Sequence, residues 1–114
     1  MSAALTPYKA IADGTRRRIL DLLREEKLSA GAIAQRFPRI SRPAVSKHLA
    51  ILRRSRLVAT KKQGREQLYA LNAAPLRAVA DWVRAYEVFW EEQLQSLKDY
   101  VESESKLEEP DAEG

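Results

Sequence analysis

The 114 residues include no cysteine, one histidine and one methionine. Without thiols there is no disulfide framework, no thiolate metal site and no cysteine nucleophile. A single imidazole, His48, has no histidine partner for a metal site within one chain, and a Ser-His-Asp triad would have to be built around that one ring. The four glycines, Gly14, Gly31, Gly64 and Gly114, are scattered, so no glycine-rich phosphate loop is present. No apolar run approaches the roughly 18 residues that a membrane span needs, and the opening MSAALTPYKAIADGTRRR lacks the charged start and apolar centre of a signal peptide. These absences lead to the expectation of a cytoplasmic protein with no membrane contact, no metal, no cofactor and no catalytic residues.

Charge is present, and it is unevenly placed. Residues 1–72 hold 16 Lys and Arg against 5 Asp and Glu, a net of +11, whereas residues 73–114 hold 4 against 11, a net of −7. The first part attracts polyanions and the second does not. With 45% hydrophobic content the chain supports one domain, but one small enough that burial against a partner would help it.

The stretch that organises the rest is Ser41 to Ser55, SRPAVSKHLAILRRS. Ser41 can accept from the free amides of a helix start, Pro43 fits the first turn, and Val45, Leu49 and Leu52 recur at helical spacing. Burying that stripe leaves a small, polar, positive face of Arg42, Ala44, Ser46 and Lys47, followed by Arg53, Arg54 and Arg56. Such a face fits a DNA groove. Before it, Ser29 to about Phe37 reads as a helix with Ile33, Ala34 and Phe37 facing inward, ended by Pro38. Two helices joined by so short a connection, the second basic on its outer side, form a helix-turn-helix.

Upstream, Leu5 to Ala12 suits a short helix, Asp13-Gly14 a break, and Thr15 the cap of a second helix running to about Glu25, whose Ile19, Leu20, Leu22 and Leu23 belong in a core. Downstream, Leu57 to Lys62 and Glu66 to Leu71 read as two strands joined through Gly64, a two-stranded wing with a basic tip. From about Pro75 to at least Tyr100, Leu76, Val79, Val83, Tyr86, Trp90, Leu94, Leu97 and Val101 recur every three or four residues, and Trp82, Phe89 and Tyr100 widen the stripe. A helix of roughly 26 residues is about 39 Å long, and much of that stripe would meet water in a monomer. The acidic end, residues 102–114, has little to bury and is expected to be disordered.

IADGTRRRILDLL, SRPAVSKHLAILRRSRLV and GREQLYALN together resemble the winged-helix ArsR family of bacterial transcriptional repressors, over roughly Tyr8 to Tyr100. The most specific part is Val45-Ser46-Lys47-His48-Leu49, followed by Leu52 and the Leu57-Val58 exit. The resemblance implies a mostly α fold with a two-stranded wing over about 57–71, residues 1–101 forming one winged helix-turn-helix domain, and a dimerisation helix over about 75–101. It implies a recognition helix over Ser41 to Arg54, with Ser41, Arg42, Ser46 and Lys47 meeting double-stranded DNA, and wing contacts over Lys61 to Arg65. It further implies a homodimer formed by the first and last helices, which would bury Leu5, Tyr8, Trp82, Tyr86, Phe89, Trp90, Leu94 and Leu97. Where many relatives carry a cysteine pair on the third helix, this chain has Ser29-Ala30-Gly31-Ala32-Ile33-Ala34, and its last helix has no histidine. The pattern instead resembles the metal-free, SdpR-like branch of small autorepressors.

Several residues keep two readings. Arg42 and Lys47 suit base edges and Ser46 a base or phosphate, yet a basic face is also an ordinary solvated surface. Ser41 suits a cap or a phosphate contact. Lys61, Lys62 and Arg65 suit phosphate or the minor groove, or simply keep a strand edge soluble. His48 sits at the rim of the core, where packing with one hydrogen bond competes with a phosphate contact. Arg16, Arg17 and Arg18 open a helix against its dipole, which suits phosphate contact or plain solvation. The aromatics of the last helix suit a dimer core or the wall of a small-molecule effector pocket. Of the functions at stake, a DNA-binding repressor comes ahead of a winged-helix module that binds protein, because the recognition helix is basic.

Overall fold

The computed structural model describes residues 6–108. The chain divides into two compact units, Met1–Val79 and Ala80–Gly114.

In the first unit, α1 (Pro7–Ala10) is a single turn capped by Thr6. Asp13 follows and caps α2 (Gly14–Glu25): its Oδ2 accepts from the Arg16 amide at 3.0 Å. The cap is therefore Asp13 and not Thr15, and Asp13-Gly14 starts a helix as well as ending one. After β1 (Leu28–Ser29), Ser29 caps α3 (Ala30–Gln35), its Oγ accepting from the Ala32 amide at 3.1 Å. The Arg36 and Phe37 amides bond back to the Ile33 and Ala34 carbonyls, tightening the chain into the turn two residues before the expected helix end. The next helix, α4 (Arg42–Arg54), has the expected bounds, with Ser41 before it and Ser55 after it.

Ser55 is followed by Arg56 at φ 65°, where the Leu57 amide bonds to the Leu52 carbonyl at 2.9 Å and the Arg56 amide to the Arg53 carbonyl at 3.0 Å. These two bonds are those of a Schellman stop, with arginine in the left-handed position that glycine usually fills. The chain then turns into β2 (Val58–Gln63) and β3 (Glu66–Leu71), paired antiparallel from Val58↔Leu71 to Gln63↔Glu66. Of the two turn residues only Gly64 has positive φ, 63°, as a type II′ hairpin requires at its first central position.

The sheet has one strand more than the expected two. Leu28 and Ser29 pair with Tyr69 and Leu68, giving the order β1-β3-β2. Two residues are too few to show alternation, so this strand leaves no trace in the sequence. The core beneath is built by Ala10, by Ile19, Leu20 and Leu23 of α2, by Ile33 of α3, by Val45, Leu49 and Leu52 of α4, and by Leu57 and Val58. The α4 stripe predicted from spacing is thus the wall of the core, and this fixes which of its faces looks outward.

The second unit holds most of α5 (Leu76–Glu108), a helix of 33 residues and about 50 Å. Its end lies beyond the Val101 expected from the apolar stripe. The stretch Glu102 to Glu108 contains no glycine or proline, and its acidic residues near a helix C-terminus cost only tenths of a kcal/mol, so nothing breaks the helix there. The part of the acidic tail expectation that falls on residues 109–114 lies outside the described residues.

Candidate nucleic-acid interface

With Val45, Leu49 and Leu52 buried, helical geometry leaves Arg42, Pro43, Ser46, Lys47 and Ala50 exposed on α4. Lys47 and Arg42 carry no ion pair or hydrogen bond among the described residues, so their charge is free to attract an anion. The Arg42 guanidinium lies over α3: a Cβ placed on Gly31 would sit 3.1 Å from its Nη2. A crevice runs between the two helices there, lined by Ala30, Gly31 and Ala34 on one side and Arg42, Val45 and Ser46 on the other.

The capping role of Ser41 is present and leaves its hydroxyl hydrogen free to donate. Its Oγ accepts from the Ala44 amide at 3.2 Å, Pro43 has no N–H, and the Val45 amide is bonded to the Ser41 carbonyl. Only the Arg42 amide remains free in the first turn. Ser41 caps the helix, and beside its hydroxyl the helix start offers a single backbone donor to an anion.

His48 stands at the rim of the core, as its spacing led one to expect, and has an internal partner. Its side chain is 20% exposed, and its Nδ1 lies 3.3 Å from Arg16 Nη1 and 3.9 Å from Asp13 Oδ2. The ring thus stands between a guanidinium and a carboxylate, within reach of both. The same guanidinium donates through Nε to the Ala10 carbonyl at 2.6 Å and through Nη2 to the Lys9 carbonyl at 3.3 Å, while Arg17 Nη1 donates to the Ile11 carbonyl at 2.7 Å. Arg16 and Arg17 therefore satisfy the carbonyls at the end of α1, and Arg16 joins α1 to the recognition helix. Plain solvation, one of the two expected roles, does not describe Arg16 and Arg17. The Asp13 carboxyl is held below its ordinary range first by the hydrogen bond from the Arg16 amide; burial opposes this as the next-largest effect, and the positive charge available at His48 and Arg16 adds to the lowering.

On the wing, Lys61, Lys62 and Arg65 are exposed and unpaired among the described residues. Side chains alternate along β2, so Lys62 shares the face of Val58 and Thr60 while Lys61 lies on the other, and Arg65 is in the turn. The ribbon carries cations on both faces and at its tip.

Of the residues expected at a dimer interface, Leu5 lies outside the described residues. Tyr8 donates its hydroxyl hydrogen to the Ala78 carbonyl at 3.1 Å. On α5, Trp82, Tyr86, Phe89, Trp90, Leu94 and Leu97 are all exposed, Leu94 at 66%, and Val88 joins them. Trp82, Tyr86 and Trp90 form a ladder, edge-to-face at 5.4 Å and then stacked at 6.3 Å between ring centroids. A depression lined by Phe89, Glu92, Gln93 and Ser96 belongs to one helix alone and encloses nothing by itself. Among the described residues no group of three His, Cys, Asp or Glu is placed to hold a metal ion, and no helix is long and apolar enough to cross a membrane.

Comparison with known proteins places this geometry. Residues 11–61 match the family described as a helix-turn-helix domain. The transcriptional repressor SdpR of Bacillus subtilis is 41% identical over 76 residues, 67% of this chain and 83% of the relative. The transcriptional activator HlyU of Vibrio cholerae is 36% identical over 78 residues, 68% and 71% of the two chains. Among solved structures, an ArsR-like transcriptional regulator from Rhodococcus superposes with a TM-score of 0.62 at 34% identity, covering 82% of this chain and 87% of the other. With its capped basic helix, its hairpin wing and these relatives, the chain belongs to the ArsR family of winged helix-turn-helix, DNA-binding transcriptional regulators.

Proposed function

We propose that the protein is a homodimeric repressor in which α4 of each protomer enters the major groove of one half of an inverted repeat. The observation that carries this reading is the outer face of α4, where Arg42, Ser46 and Lys47 stand exposed and the two cations have no internal counter-charge. Arg42 and Lys47 contact base edges, where guanine O6 and N7 accept from either side chain, and Ser46 contacts base or phosphate. Lys61, Lys62 and Arg65 contact flanking phosphates. The cationic first 72 residues make binding fall steeply with salt.

A second copy is the partner of the aromatic face of α5. Nine large apolar side chains exposed along one helix exceed what a solvated surface ordinarily carries, and a self-complementary face is buried by a two-fold axis. Repression is chosen over activation because SdpR, the repressor, is the more similar of the two named relatives.

The test is titration of labelled DNA from the gene's own upstream region. Lys47→Ala should weaken specific binding by about 1–3 kcal/mol and leave dimerisation unchanged. Equal affinity of the unaltered protein for scrambled DNA contradicts the reading.

A further inference from the structure

We infer that Gly31, on the supporting helix, sets the pose of Arg42 and is thereby a specificity-determining residue, although it need not touch DNA itself. The inference rests on the reading of Arg42 as a base-contacting residue.

Arg42 is the first residue of α4. A helical side chain normally leans on the turn that precedes it, and the first residue has no such turn, so its support must come from another element. That element is α3. The guanidinium occupies the space above Gly31 that a side chain there would take, in the crevice bounded by Ala30, Ala34, Val45 and Ser46. No acceptor among the described residues holds it, and what admits it to that space is the absence of a side chain on Gly31. A guanidinium that has this space open to it before DNA arrives has less to reorganise on binding than one a side chain at position 31 has pushed aside, and a fork aimed in one direction selects one base edge.

Gly31 is also a position where the effect can be isolated. An added methyl would meet Nη2 at 3.1 Å, closer than ordinary van der Waals contact, but the atom it meets is the far end of a flexible side chain. The guanidinium moves and both helix backbones stay. Alanine in a helix is otherwise at least as favourable as glycine.

The experiment is a double-mutant cycle on DNA, using a duplex that the unaltered protein selects from random-sequence DNA. Arg42→Ala should weaken binding to this duplex by about 5- to 100-fold. Gly31→Ala should weaken it by about 3- to 10-fold in the original background and by less than about 2-fold when Arg42 is already alanine. Its melting temperature should equal or exceed that of the unaltered protein, which separates displacement of Arg42 from damage to the fold. A Gly31→Ala effect that is absent while Arg42→Ala is harmful, or that is equal in both backgrounds, overturns the inference. An Arg42→Ala protein that binds as well as the original overturns instead the reading of Arg42, and the inference with it.

Discussion

Arg56 holds its backbone at φ 65°, a region that costs a residue with a Cβ about 1 kcal/mol. The stop it forms is fastened twice, by the bonds to the Leu52 and Arg53 carbonyls and by Asn72, whose Nδ2 donates to the Arg56 carbonyl at 2.7 Å. Since its side chain is exposed, Arg56→Gly should remove the strain and lose no core packing, raising stability by about 0.5–1 kcal/mol in a denaturant titration. A loss of stability would mean that the arginine stem packs on its surroundings. This strain left no mark in the sequence, where Arg53, Arg54 and Arg56 read only as a basic cluster. Ser41 was legible because cap, proline and apolar stripe agreed. Asp13 was not, because Asp13, Gly14 and Thr15 are all residues that can begin a helix, and only the hydrogen bond to the Arg16 amide decides among them. The internal bonds of Arg16 and Arg17 were not legible for a related reason: spacing cannot reveal that the preceding turn presents the Lys9, Ala10 and Ile11 carbonyls to them.

At the scale of elements, α2 depends on its acidic cap, and this gives it a pH dependence of known sign. The folded Asp13 carboxyl is shifted down, so its contribution is complete above its ordinary pKa of 3.8 and is lost as pH falls through the lower folded value. Acid unfolding should therefore steepen below about pH 4, and Asp13→Asn, which keeps a neutral cap, should flatten that limb in a pH series of thermal melts. An unchanged acid limb in the Asn variant contradicts the assignment. The helices α2, α4 and α5 and the hairpin were legible because each has several turns or alternations of pattern. The strand β1 was not, since two residues carry no period, and α5 outran its expected end because the apolar stripe stops before the helix-forming residues do. The seat of Arg42 on Gly31 lies between two elements, and no pattern within either could have disclosed it.

For the whole molecule, the distribution of charge and apolar surface divides the labour. In the proposed reading the net +11 of residues 1–72 serves a phosphate backbone, and the exposed aromatic ladder of α5 serves a second copy. Two-fold pairing, as proposed, would turn one small basic helix into two readers at a fixed separation, raising both affinity and selectivity without any new contact in either half. Guanine-N7 methylation interference on the selected duplex tests this most directly, because N7 lies in the major groove. Paired α4 helices predict two patches of interference, centred about 10 base pairs or one helical turn apart, with two chains bound per duplex. A single patch, or binding indifferent to N7 methylation, would contradict paired major-groove insertion.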